Sequence, residues 1–135
     1  MATLQDAIAA VQDVALTLSG IEEAPDYAPE GMMQFPFVVT YARKVDWTPM
    51  SDWKKGLHTI YSEIHVARIM LPRAIELAMP YNETFADGIL SDPTLAGTVD
   101  TVLKLRGTFG ALPWADETHI GWRFEIDIKQ ETAYS

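Results

Sequence analysis

The stretch that most constrains the fold is GWRFEIDIK (residues 121–129), where apolar and charged side chains alternate without interruption. Trp122, Phe124, Ile126 and Ile128 would lie on one side of an extended chain, and the charged residues between them on the other. A helix could not place the apolar and the charged side chains on separate faces, because residues on one face of a helix recur every 3.6 positions rather than every two. The stretch therefore predicts a strand with one buried face.

Three other stretches also predict strands. They are FPFVVTYARK (35–44), LHTIYSEIHVAR (57–68) and TVDTVLKLRG (98–107). In the first, we expect Phe37, Val39 and Tyr41 to share a face, and Pro36 marks the strand's beginning or a sheet edge. In the last, the predicted inward set is Val99, Thr101, Leu103 and Leu105, after a flexible corner at Gly97.

Helical spacing appears twice. Residues 1–20 carry one apolar stripe, with Thr3 or Asp6 placed to cap the first turn and Gly20 placed to end the helix. A second helical region begins at Pro72, breaks at Pro80, and resumes in a short helix.

Asn82 is the predicted cap of that short helix, which carries Phe85, Ile89 and Leu90. Asp92-Pro93 stops it.

The element order α-β-β-α(α)-β-β predicts an α+β fold. We expect an antiparallel, possibly mixed, four-stranded sheet with helices packed on one face. The chain of 135 residues reads as a single domain. Within it, 1–20 is the N-terminal helix, 21–34 an acidic connector, 35–129 the sheet and helices, and 130–135 a loose tail. Residues 45–56 and the segment holding Pro113 and Trp114 are predicted loops.

Composition excludes several classes of function. A net charge of −9 has the wrong sign for gripping nucleic acid through its phosphates, and it disfavours an anionic membrane surface. The absence of cysteine excludes disulfides, thiolate metal sites and cysteine nucleophiles. No apolar run reaches the ~20 residues of a membrane span, and the N-terminus lacks the basic start of a signal peptide.

Catalytic chemistry finds little support in the sequence. His58 and His65 are an odd number of residues apart, so they should point to opposite faces of their strand. Glu63 and His65 share a face, but a zinc site needs three or four ligands. No nucleophile, metalloprotease or phosphate-loop motif is present. We therefore expect no enzyme activity, no metal and no cofactor.

Candidate contact residues fall in two groups. The predicted loop 45–56 holds Trp47, Met50, Trp53, Lys54 and Lys55. These side chains would either fold back on the sheet or form a protein contact, since exposed aromatic residues and Met concentrate at interfaces.

The second group is two rows on the outer sheet face. One contains Tyr61, Glu63 and His65, and the other contains Arg123 and Glu125. These rows would meet either solvent or a neighbouring subunit.

The chain resembles the tail terminators and related neck proteins of long-tailed bacteriophages. The resemblance covers most of its length: the N-terminal helix and acidic connector, FPFVVTY with Pro36, IYSEIHVAR, LPRAIELAMPY, ILSDPTLAGTVDTV and GWRFEIDIK. Its most specific part is the run DPTLAGTV (92–99), placed between a broken helix and the penultimate strand.

The resemblance implies a non-enzymatic virion protein that is assembled in the host cytoplasm. Subunits of this family form a ring, expected to be hexameric, that caps the tail tube and joins it to the neck or head-closure protein. DNA passes through the lumen with only weak contact. A head-closure or tail-completion protein of the same region is the alternative within this class. A small α+β enzyme or ligand-binding module is the alternative outside it.

Overall fold

The computed structural model describes residues 2–25, 34–68 and 72–134. Over these ranges the chain forms three helices and five strands. They are α1 (Leu4–Leu16), β1 (Phe37–Lys44), β2 (Trp47–Pro49), β3 (Trp53–Ala67), α2 (Pro72–Ala78), α3 (Tyr81–Leu90), β4 (Thr101–Trp114) and β5 (Glu117–Ala133). Most of the predicted connector, residues 26–33, lies outside the described residues.

One antiparallel sheet organises the fold, in the order β1-β3-β5-β4. The α+β class is confirmed, but the four-stranded sheet is wrong, because β2 adds a fifth strand inside the predicted loop. β2 pairs with the beginning of β3, from Trp47 opposite Gly56 to Pro49 opposite Lys54. Pro49 is tolerated there because β2 is a short edge strand.

β5 is longer than its alternating pattern. Residues 130–133, predicted to be a loose tail, pair with the first four residues of β3. The predicted loop at Pro113 and Trp114 is also wrong, since β4 continues to Trp114. Ala115 and Asp116 alone connect β4 to β5, and Ala115 has a left-handed φ of 53°. β4 and β5 therefore form one long hairpin.

The predicted inward set of β4 is only partly right. The register with β5 shifts between Val102 and Lys104, which is the signature of a bulge. Leu103 is 53% exposed, whereas Val102 and Leu105 pack against the core. A simple alternation could not reveal this, because a bulge exchanges the two faces of a strand.

The turn before β4 explains the stop at Asp92-Pro93. The Asp92 carboxylate accepts hydrogen bonds from the Ala96 N–H (2.9 Å) and the Thr94 hydroxyl (3.1 Å). These bonds hold Leu95, Ala96 and Gly97 at positive φ, and Leu95 becomes fully buried. Gly97 is the predicted corner, although β4 begins only at Thr101.

The helix boundaries follow their caps. Thr3 and Asp6 together form a capping box at α1. The helix ends at Leu16 with Thr17 as its C-cap, before the predicted end at Gly20. α2 begins at Pro72 as predicted, and the break at Pro80 is confirmed. Pro80 occupies the N-cap position of α3 without a side-chain bond, so the predicted capping role of Asn82 is wrong.

The main core lies between the helices and the inner face of the sheet. Trp122, Phe124, Ile126 and Ile128 of β5 all contribute to it, as their alternation predicts. Phe124 stacks on Phe85 of α3 with ring centroids 4.5 Å apart. Leu90, predicted to accompany Phe85, is instead 53% exposed.

Candidate functional site

The outer face of the sheet carries a second buried cluster. Phe37 and Val39 of β1 form its centre, with Phe35, Tyr41 and Trp114 packed around them. The Trp114 ring lies 5.8 Å from the Tyr41 ring, although β4 and β1 are opposite edges of the sheet. The tip of the β4–β5 hairpin therefore curls over the outer face and covers part of it.

A pair of glycines lies where this curl begins. Gly110 of β4 is opposite Gly121 of β5, and Gly121 is in turn opposite His65 of β3. A Cβ atom at Gly121 would lie 1.8 Å from the carbonyl oxygen of Ile64. Only glycine allows the two backbones to approach this closely. The close approach coincides with a register shift between His65 and Ala67.

Glu63 is the centre of the polar groups beneath the hairpin tip. Its side chain accepts hydrogen bonds from the Tyr41 hydroxyl (2.6 Å), Arg123 Nε (2.9 Å) and His65 Nε2 (2.8 Å). The three donors come from β1, β5 and β3, so this one carboxylate connects three neighbouring strands. Such charge-assisted bonds are stronger than neutral ones.

A chain of hydrogen bonds runs from Glu63 toward solvent. His65 Nδ1 lies 2.8 Å from His119 Nδ1, and His119 Nε2 lies 2.9 Å from Glu117 Oε2. Arg68 Nε donates to the same Glu117 oxygen at 3.1 Å. We call Glu63, His65, His119 and Glu117 the outer-face relay.

The relay needs a specific number of protons. Each of its three hydrogen bonds requires one N–H, and the carboxylates at its two ends only accept when ionised. Two neutral imidazoles supply two N–H groups. With His65 Nε2–H donating to Glu63, His65 Nδ1 must accept from His119, and the bond to Glu117 then forms only when a third proton is bound.

Burial sets the protonation of the relay's inner end. Burial opposes ionisation of Glu63, but hydrogen bonds from His65, Tyr41 and Arg123 outweigh it and hold the pKa of Glu63 below its ordinary value. Burial also lowers the pKa of His65, against the attraction of Glu63. The hydrogen bonds from His119 and Arg68 lower the pKa of Glu117. The inner end is therefore an ionised carboxylate beside a neutral imidazole.

The inner three members of the relay are closed to substrates, whereas Glu117 at its outer end is exposed. Glu63 and His65 are 0% exposed and His119 is 2% exposed. Catalysis requires a group within hydrogen-bonding reach of its substrate, and this covering prevents that reach. Across the described ranges, no group of three or more His, Asp or Glu side chains is arranged to hold a metal. The arrangement stabilises the sheet and anchors the hairpin tip.

The structure corrects the environments predicted for Glu63 and His65. Solvent and a neighbouring subunit were the two expectations, and both side chains are instead buried within the chain itself. Tyr61 and Arg123 stay half-buried on the outer face, with the Arg123 guanidinium 5.1 Å from the Tyr61 ring centroid. Glu125 is paired with Arg106 at 2.8 Å.

The other candidate contact residues lie at the opposite end of the sheet. Trp47 is 39% exposed and Met50 41% exposed, while Trp53, Lys54 and Lys55 are half-buried. The Trp47 ring meets His58 edge-on at 4.5 Å, and Lys54 Nζ lies 4.6 Å from its centroid. This segment thus folds back on the sheet and also presents apolar surface.

Sequence reasoning missed half of the relay. A signal was present: Glu-x-His occurs twice, as Glu63-Ile64-His65 and as Glu117-Thr118-His119. On a strand each pattern places its carboxylate and imidazole on one face. The second copy fell in a predicted loop, so its face could not be assigned. His58 lies on the inner face, opposite Ile128, as its odd spacing from His65 predicts.

Comparisons with known proteins assign no family. No family model matches the chain, and no curated protein shows significant similarity to it. Separately, no helix in the described ranges has both the length and the apolar character needed to cross a membrane.

Proposed function

We propose that this chain is a structural subunit of a bacteriophage tail terminator, whose copies form a hexameric ring that caps the tail tube. The ring would join the tube to the neck or head-closure protein in the virion, and DNA would pass through its lumen. The family comes from the sequence resemblance. The observation that carries the proposal in the structure is the free edge of β4.

β4 is a 14-residue strand at the end of the sheet, with β5 on one side. On its other side, the backbone hydrogen bond from Val102 to Pro93 (2.7 Å) lies at its very beginning. Between 103 and 113 no described residue outside β5 forms a backbone hydrogen bond with it. Proteins seldom leave a long edge strand open, because it invites pairing with another chain. We assign this edge to the contact with the tail tube.

The polar groups of the chain also favour a structural role over catalysis. The most developed set of titratable side chains is the outer-face relay, and its members Glu63, His65 and His119 are buried. Its bonds connect β1, β3 and β5 rather than pointing into a cleft. A ring subunit needs this rigidity, since a subunit that deforms cannot present a fixed surface to the tube.

The decisive experiment adds the purified protein to purified tail tubes and counts capped ends by electron microscopy. We expect the wild-type chain to cap one end of each tube. Leu103→Glu should reduce capping, because it places a charge on the free edge. Leu77→Glu is the matched control, since Leu77 on α2 is similarly exposed at 49%.

Two outcomes would contradict the proposal. If the protein ignores tail tubes but binds purified DNA-filled heads, it is a head-closure protein instead. If it binds neither, the chain is not a part of the tail or neck. If both variants cap tubes as well as wild type does, the tube contact lies elsewhere than the β4 edge.

A further inference from the structure

The charge of the molecule is divided between its two layers. Residues 2–25 and 72–100, which supply the three helices and the turn before β4, contain nine acidic residues and one basic residue, Arg73. Residues 34–68 and 101–134, which supply the sheet, contain nine basic and eight acidic residues. The helical layer therefore carries a net −8 and the sheet a net +1.

Unpaired cations mark the outer face of the sheet. Arg43, Lys44 and Lys104 form no ion pair with any other residue that the structure describes. Arg43 and Lys44 are exposed, and they border a notch of about 190 Å³ whose other walls are Thr59, Tyr61, Arg106 and Glu125. The notch crosses the sheet from β1 to β4, beside the area that the hairpin tip covers.

The helical layer presents a complementary groove. It has a volume of about 350 Å³ and lies between α1 and the end of α3, with Asp13 and Asp92 among its walls. Ala10, Gly88 and Ala96 also line it, and such small side chains allow a close approach. Asp13 is exposed and forms no ion pair within the described part of the chain.

We propose that the outer sheet face of one copy packs against the α1–α3 face of the next copy in the ring. This inference rests on the proposed function, since it names the two surfaces by which that ring closes. The two faces lie on opposite sides of the same sheet. Contact between unlike faces is heterologous, and repeated heterologous contacts close into a ring when the rotation permits.

Charge complementarity fixes which faces meet. If two outer faces met, Arg43 and Lys44 of one copy would face the same cations of the other copy. If two helical faces met, two layers that each carry a net charge of −8 would repel each other. The mixed contact places the unpaired cations of one copy beside the acidic layer of the next, and such complementarity determines orientation and partner choice. Exposed ion pairs contribute little affinity, typically under ~1 kcal/mol each. The charges therefore determine which faces meet, and most of the affinity comes from the packed surface between them.

Nucleic acid is the weaker match for the outer face. Binding a duplex requires several unneutralised cations along the phosphates. Here Arg106 is held by Glu125 and Asp127, Arg123 by Glu63 and Lys129 by Glu131. A mixed surface of this kind suits a protein face that carries separate carboxylates.

The absence of native cysteine allows a direct test. We would prepare the double variant Lys44→Cys/Asp13→Cys and treat tube-bound protein with a short bis-maleimide cross-linker. The expected result is a ladder of covalently joined copies on a denaturing gel, ending at the number of subunits in the ring. Lys44→Cys/Lys104→Cys is the matched control, with both cysteines on the outer face, and it should give no ladder.

Charge reversal supplies a second readout. Arg43→Glu/Lys44→Glu should raise the protein concentration needed for half-maximal capping by about tenfold. Adding Asp13→Lys in the same chain should restore part of that loss. Dimers formed by Lys44→Cys alone, or capped tubes without a ladder, would overturn the inference while leaving the tail-terminator proposal intact.

A failure of the tail-terminator proposal can also be told apart from a failure of the proposed contact between the two faces. If wild-type protein caps no tubes, cross-linking the concentrated protein still tests the two faces, and a ladder would support their contact without the phage function. A labelled DNA duplex is the remaining probe. If Arg43→Glu/Lys44→Glu abolishes binding to the duplex but does not change capping, the outer face is a nucleic-acid surface and the inference is wrong.

Discussion

The two faces of the sheet are both partly buried, but for different reasons. The inner face is covered by three helices and contains aliphatic and aromatic side chains such as Ile60 and Phe124. The outer face is covered at one end by the curled hairpin tip and contains Glu63, His65 and His119. Apolar alternation predicts the first kind of burial. The second kind depends on how a distant hairpin bends, and it can therefore bury residues that look like surface.

The largest expected effect is on the inner face. Phe124→Ala should lower the free energy of unfolding by about 3–5 kcal/mol, because it removes a fully buried ring and leaves a cavity. Urea denaturation would measure the change. Leu57→Ala, at a 43% exposed position of β3, is the control and should change stability by less than about 0.5 kcal/mol. A small effect at Phe124 would mean that the helices do not pack as described.

The second prediction concerns the outer face. Glu63→Ala should lower the free energy of unfolding by about 2–4 kcal/mol, because it leaves Tyr41, His65 and Arg123 without their acceptor. Arg123 can regain water, which keeps the loss below that of Phe124→Ala. Glu63→Gln retains an acceptor oxygen and should cost less than Glu63→Ala. Equal losses in the two variants would show that the negative charge of Glu63, rather than its volume or a remaining acceptor oxygen, carries the effect.

The third prediction is that the free energy of unfolding depends on pH through the buried titratable groups of the outer face. Burial lowers the pKa of His65 in the folded state, so the unfolded chain takes up that proton more readily. Stability should therefore fall as the pH drops below 6.5, the ordinary value for histidine. The pKa of Glu63 is lowered, so its own contribution is lost at more acidic pH, below 4.5.

Chemical denaturation at pH 7.5, 6.0 and 5.0 would measure this dependence, with an expected total change of about 1–2 kcal/mol. His65→Gln should flatten the curve. It should not abolish it, because burial also lowers the pKa of His58 on the inner face. An unchanged slope in His65→Gln would assign the whole dependence to other groups.

The sequence predicted most of the inner face and little of the outer one. β5 was assigned correctly from Trp122 to Ile128 because hydrophobic alternation directly encodes a one-sided strand. Pro80 likewise predicted the break between α2 and α3. These features are local, and a local pattern is sufficient to find them.

The features that were missed depend on contacts between distant segments. The bulge beside Leu103 moves residues between faces without any signal in the alternation. Residues 130–133 look like a polar tail until the beginning of β3 is available to pair with them. The relay required knowing that Gly110 and Gly121 are opposite each other, so that the hairpin can bend. The bulge, the pairing of residues 130–133 and the relay all depend on which strands lie next to each other, rather than on the local propensity of the sequence.

The position of β5 has a consequence for how the chain is made. It is the last strand in sequence but lies between β3 and β4 in the sheet. Until residues 117–133 leave the ribosome, β3 and β4 have no common neighbour, the relay lacks His119 and Glu117, and Glu63 lacks its partner Arg123. Pairings this distant in sequence close slowly. The full sheet can therefore assemble only after translation of β5, rather than progressively from the N-terminus.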